Sequence, residues 1–99
     1  MLKKVFRSAR GQGLLFLLET GLDPRATDTE GNTALHAAAR LGDFRLVEKL
    51  SAYPVDPDIE NDRGRTAREE MRVLYRGRAS SLKRTDALFL RLQTGQESQ

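Results

Sequence analysis

The sequence predicts an all-α fold of stacked helix pairs, and three observations predict it. The first is an internal period of 33 residues: Gly31 recurs as Gly64, Thr33 as Thr66, Ala34 as Ala67, and Asp28 as the related Asn61. One unit earlier, Leu14 aligns with Val47, Leu17 with Leu50 and Asp23 with Asp56. The second is the helical spacing of apolar residues inside the units, as in Phe44, Leu46, Val47 and Leu50. The third is the placing of glycine and hydroxyl residues at the ends of those segments, where helices stop and start. Units of this length cannot bury a face alone, so they must stack into a solenoid.

The elements follow in order. The first unit, about residues 1–27, lacks an opening turn. Val5, Phe6 and Ala9 predict a short helix, Gly11-Gln12-Gly13 a turn, and Leu14 to Glu19 the partner helix. Gly21-Leu22-Asp23-Pro24 marks the loop to the next unit.

The second unit, about 28–60, is the most regular. Gly31 suits a turn that needs positive φ. The Thr33 hydroxyl stands where it can cap a helix beginning beside Ala34. Ala37, Ala38 and Ala39 favour helix and let neighbouring units approach closely, and Gly42 ends the helix. Phe44, Leu46, Val47 and Leu50 then supply a second helix with a buried stripe.

The third unit, about 61–93, opens faithfully with Asn61-Asp62-Arg63-Gly64-Arg65-Thr66-Ala67 and then departs. Glu69 stands at the place of His36, Met71-Arg72 at the alanine pair, and Tyr75 at the place of Gly42. Ser80 or Ser81 is expected to cap a final helix carrying Leu82, Ala87, Leu88, Leu90 and Leu92.

Asp28-Thr-Glu-Gly31-Asn-Thr33-Ala34-Leu35-His36-Ala-Ala38-Ala39 resembles the opening of the ankyrin repeat, Asp-x-x-Gly-x-Thr-Pro-Leu-His-x-Ala-Ala, and the 33-residue period is that family's. Gly42-Asp43 matches the turn between its helices. The resemblance implies an ankyrin-repeat solenoid: helix-turn-helix units joined by hairpin-like loops, with capping helices at both ends. It predicts a single domain over residues 1–93, with 94–99 as a flexible tail. Degenerate ends suit such an array, because outer units exchange their unpaired face for polar residues.

The 99 residues allow one domain. The chain is 31% charged and 38% hydrophobic, a globular balance. Cysteine is absent, which removes disulfides and thiolate metal ligands and fits a reducing compartment. The longest apolar run, Leu14 to Leu18, is too short for a secretory core of about 7–15 residues or a membrane span of about 20. A cytoplasmic protein is therefore expected. The net charge of +3 is uneven: residues 1–60 carry −1 and residues 61–99 carry +4.

Chemistry is sparse. His36 is the only histidine, so neither a triad nor a histidine metal site has a second member. The resemblance gives it a structural role, hydrogen-bonding the loop backbone. Asp56-Pro57-Asp58 with Glu60 and Asp62 lacks the spacing, central glycine and distant glutamate of a calcium loop. Gly11-Gln12-Gly13 is not followed by the Gly-Lys-Ser/Thr of a phosphate loop. No cofactor, metal or catalytic residue is assigned, and an enzyme is not expected.

The resemblance implies protein–protein recognition through the concave face and loop tips. The matching positions are Thr29, Glu30, Asn32, Arg40 and Leu41 in the second unit, and Glu60, Asp62, Arg63, Arg65, Val73 and Leu74 in the third. Leu41, beside Arg40 and across from Leu74, is expected either to centre a contact patch or to pack under the neighbouring helix. Arg63 and Arg65 are expected to pair with a protein carrying an acidic patch. The alternative is nucleic-acid association through Arg63, Arg65, Arg68, Arg72, Arg76, Arg78, Lys83 and Arg84, with Arg65, Arg68 and Arg72 along one helix face. Aromatic content of 6% and interspersed acids make it the weaker reading. The apolar face of the last helix, with Leu88, Phe89, Leu90 and Leu92, would cap the stack or seat a second chain, which leaves monomer and homodimer both open.

Overall fold

Leu14 and Leu18, four residues apart, form the buried stripe of a helix, while Phe16 between them is exposed. That helix is the first of five in a computed structural model that describes residues 11–95. They are α1 (Gly11–Glu19), α2 (Ala34–Leu41), α3 (Phe44–Leu50), α4 (Ala67–Leu74) and α5 (Ala79–Gly95). Among the described residues there is no β-strand.

The ends of α2 and α4 are set by the same device. The Thr33 hydroxyl accepts from the His36 N–H at 3.3 Å, and His36 Nδ1 accepts from the Thr33 N–H at 3.0 Å. In α4 the Thr66 hydroxyl accepts from the Glu69 N–H at 3.2 Å, and Glu69 Oε1 accepts from the Thr66 N–H at 2.9 Å. Each reciprocal pair satisfies backbone donors that a helix start leaves without partners. α2 ends at Gly42, which adopts the left-handed conformation (φ 70°), and the Asp43 carboxylate caps α3 at once.

Six consecutive residues of α2, Ala34 to Ala39, are buried. Alanine makes that possible, since α2 is pressed between α3 and α4 and its closest packing is with α4. Leu14 and Leu18 of α1, Leu46, Val47 and Leu50 of α3, Met71 of α4, and Leu88, Phe89 and Leu92 of α5 complete the core.

Several expectations change. Gly11-Gln12-Gly13 is the first turn of α1, not a connector. The last helix begins at Ala79, so Ser80 and Ser81 lie inside its first turn and neither caps it. Its buried face is Thr85, Leu88, Phe89 and Leu92, whereas Ala87 is exposed and Leu90 is 56% exposed. That face therefore closes the stack. The helix continues to Gly95, past the expected start of the tail. The short helix expected around Val5, Phe6 and Ala9, and residues 96–99 of the tail, lie outside the described residues.

Candidate recognition surface

Two hairpin turns, one period apart, repeat the same bonds. The Asp28 carboxylate accepts from the Glu30 and Asn32 N–H groups, both at 2.9 Å, and the Asn61 side-chain carbonyl accepts from Arg63 and Arg65 at 3.0 and 3.1 Å. The Asp62 N–H donates to the Glu30 carbonyl at 3.0 Å, fixing one turn beside the other. Asparagine at 61 adds what aspartate at 28 cannot offer: its amide N–H group donates to Asn32 Oδ1 at 2.9 Å and to the buried Glu70 carboxylate at 2.7 Å. Arg65 lies 3.6 Å from the other Glu70 oxygen.

His36 ties the two units together. With Nδ1 accepting from the Thr33 N–H, the proton sits on Nε2, which donates to the Arg65 carbonyl at 2.8 Å. Burial pushes its pKa below the ordinary value of 6.5, against the opposing pull of that carbonyl. The imidazole is a neutral structural bridge.

At the other end of α2 and α4 the helix-connecting turns meet. Tyr75 occupies the place corresponding to Gly42, its hydroxyl donates to the Gly42 carbonyl, and its ring stacks on Phe44 at 5.2 Å between centroids. The Arg84 guanidinium lies 4.4 Å from the centre of the Phe44 ring. A Cβ added at Gly42 would come within 2.7 Å of Leu74, so the two turns are in close contact.

The predicted residues divide accordingly. Leu41, Val73 and Leu74 are 51%, 39% and 48% exposed, so Leu41 does not pack under the neighbouring helix. Thr29, Arg40, Glu60, Asp62 and Arg63 are exposed, and Glu30 is half-buried. Asn32 departs from the expectation. It is buried, and its side chain is held by Asn61. Arg65 is half-buried, engaged with Glu70, and precedes α4, so it does not share a helix face with Arg68 and Arg72.

Arg68 and Arg72 grip one carboxylate on α5. Arg72 donates to both Asp86 oxygens at 2.7 and 2.6 Å, and Arg68 approaches at 3.0–3.1 Å. Arg72 first, then Arg68, hold the Asp86 carboxyl below its usual range. Arg91 pairs with Glu48 at 3.5 Å. Much of the arginine-rich stretch is thus spent on internal contacts.

The sequence alone assigns no contact to Glu70, Asp86 or Tyr75. For two of them the signal was present, because Glu70 replaces an alanine and Tyr75 a glycine under the 33-residue shift.

The family model for ankyrin repeats (many copies) matches residues 17–70, more than half of the chain. The chain belongs to the ankyrin-repeat family. Putative ankyrin repeat protein L92 of Acanthamoeba polyphaga mimivirus is 37% identical over 70 residues, covering 71% of this chain and 17% of that protein. Regulatory protein SWI6 of Kluyveromyces lactis is 49% identical over 39 residues, 39% of this chain and 5% of that protein. Ankyrin repeat domain-containing protein 37 of Bos taurus is 38% identical over 56 residues, 57% of this chain and 35% of that protein. The ankyrin-repeat chain thus spans about a third or less of each of these relatives. No helix among the described residues is long and apolar enough to cross a membrane.

Proposed function

We propose that this ankyrin-repeat chain is a non-catalytic recognition module that binds a partner protein through the concave side of α2 and α4, as an adaptor, inhibitor or neutralising subunit. One observation carries the reading. Leu41, Val73 and Leu74 are exposed at the C-terminal ends of α2 and α4, on a molecule whose other helices direct most of their large apolar groups inward. An apolar centre with a charged rim is how protein interfaces are built, and a contact of standard size buries about 1,200–2,000 Å² in total. The internal pairing of Arg65, Arg68 and Arg72 favours a protein over a nucleic acid, because those cations already hold carboxylates. The lack of cysteine suits a cytoplasmic setting.

Affinity capture from nuclease-treated lysate tests the reading, with Leu41→Glu as the control bait. A protein retained by the natural chain and released by the variant supports it. Retention of nucleic acid alone, when nuclease is omitted, sinks it.

A further inference from the structure

The charges of this chain are sorted by end. The hairpin segments, residues 28–32 and 56–65, hold six acids (Asp28, Glu30, Asp56, Asp58, Glu60, Asp62) against Arg63 and Arg65, a balance of −4. The helix-connecting end, residues 41–45 and 73–84, holds Arg45, Arg76, Arg78, Lys83 and Arg84 against Asp43 alone, a balance of +4, while Arg40 lines a groove with Glu30, Asp62 and Glu70. All five of those cations are exposed, and the Asp43 carboxylate already caps α3 by accepting from the Leu46 N–H at 3.1 Å. The same end carries the exposed Leu41 and Leu74. The contact of Gly42 with Leu74, the Tyr75–Phe44 stack and the seating of Arg84 over Phe44 bring the two turns and the start of α5 into one surface.

From this segregation we infer that the helix-connecting end, not the hairpin tips, is the docking site, and that its occupant is an acidic amphipathic segment of a partner protein. This rests on the protein-recognition reading above and narrows it. Apolar side chains of the segment cover Leu41 and Leu74, while its carboxylates meet Arg76 and Arg78, for which guanidinium geometry allows two-point pairing. The hairpin end repels the same segment, which fixes where it lies. Arg63, although exposed at a tip, sits among acids and contributes little attraction. A nucleic acid fits less well, since Tyr75 and Phe44 face each other and Arg84 instead of offering rings for bases to stack on.

Selection of displayed random 16-residue peptides against the natural chain tests this directly. The recovered peptides should be rich in Asp and Glu around apolar residues. A representative, measured by fluorescence anisotropy, should weaken at least tenfold on Arg76→Glu/Arg78→Glu and on Leu41→Ser, and less than twofold on Arg63→Glu. Circular dichroism melts of these exposed-site variants should match the parent. Basic winners, an empty selection, or loss with Arg63→Glu but not with the turn variants overturns the assignment. Tighter binding of a 20-nucleotide single strand that survives Leu41→Ser also overturns it. A protein captured from lysate that releases only with hairpin-tip variants would leave protein recognition standing and remove this site alone.

Discussion

At the scale of single residues, the inter-unit contact depends on a neutral imidazole. Protonating His36 would place a hydrogen on Nδ1, where the Thr33 N–H already donates. Because burial holds the folded pKa below 6.5, the unfolded chain binds the proton first as pH falls. Stability from this group is complete above about pH 6.5 and declines from there toward the lower folded pKa. The urea midpoint should therefore drop between pH 7.5 and 5.5, and most of that drop should vanish in His36→Gln. A flat profile in the parent would show that the imidazole titrates freely. Glycine makes a second residue-scale case. Gly31 and Gly64 occupy equivalent turns with φ 79° and 74°, yet their surroundings differ. A Cβ on Gly31 would lie 2.7 Å from Asp62 Oδ1 and 2.9 Å from the Asp62 backbone nitrogen, whereas one on Gly64 meets nothing within 4 Å. Gly64→Ala then costs only conformational strain, about 1 kcal/mol. Gly31→Ala must also displace a neighbouring turn and should cost about 1–3 kcal/mol more, read from paired chemical melts. Equal losses would mean that the two turns are not in contact.

At the scale of elements, the side chain that completes each cap decides whether the cap also reaches the neighbouring unit. His36 and Glu69 both return to the backbone N–H of their capping threonine, so either serves inside its own helix. Only the histidine has a second nitrogen to donate onward, and it reaches the Arg65 carbonyl. A glutamate side chain that closes its own helix start offers no second nitrogen to donate onward. That difference was legible in the sequence as a departure at one aligned position, as were the starts of α2 and α4 and the alanine-lined stacking face. The orientation of α5 was legible only in part. Leu88, Phe89 and Leu92 belong to the apolar face read from the sequence and are buried, but Leu90 is exposed, Thr85 is buried and the serines pointed to a later start. The pairing of Asp86 with Arg68 and Arg72 spans 18 and 14 residues and depends on that rotation. Asn32 was misjudged for a related reason: its burial follows from Asn61 in the next unit, which one unit read alone does not reveal. The Asp86 clamp carries its own prediction. Asp86→Asn leaves two neighbouring arginines without their carboxylate, and because the pair is over a third exposed the loss should stay near 1 kcal/mol or below. With the folded pKa depressed, the same contribution is present above the ordinary aspartate range and is lost as pH falls through the lower folded value. The difference between parent and Asp86→Asn should therefore shrink in strong acid, and also at high salt.

At the scale of the whole molecule, stability lies between units more than within them. The α2 and α3 helices have 8 and 7 residues, far below the length at which an isolated helix holds in water. Each is kept by burial against its neighbours, and the closest packing, α2 on α4, crosses the boundary between units. The hairpin bond from Asp62 to Glu30 and the His36 bridge cross it as well. An array coupled this strongly should unfold as one body, since a lone unit would expose more apolar surface than it keeps. Met71 offers the test, being fully buried on α4 in the last unit. Met71→Ala should cost about 2–5 kcal/mol through the cavity it opens. The informative reading is hydrogen exchange at the amides of α2, one unit away. If the units are coupled, protection of Ala38 and Ala39 falls by the same free energy as global stability, and the urea transition stays single. If those amides keep their protection while α4 opens, the units unfold separately, and the contacts between them are weaker than their geometry implies.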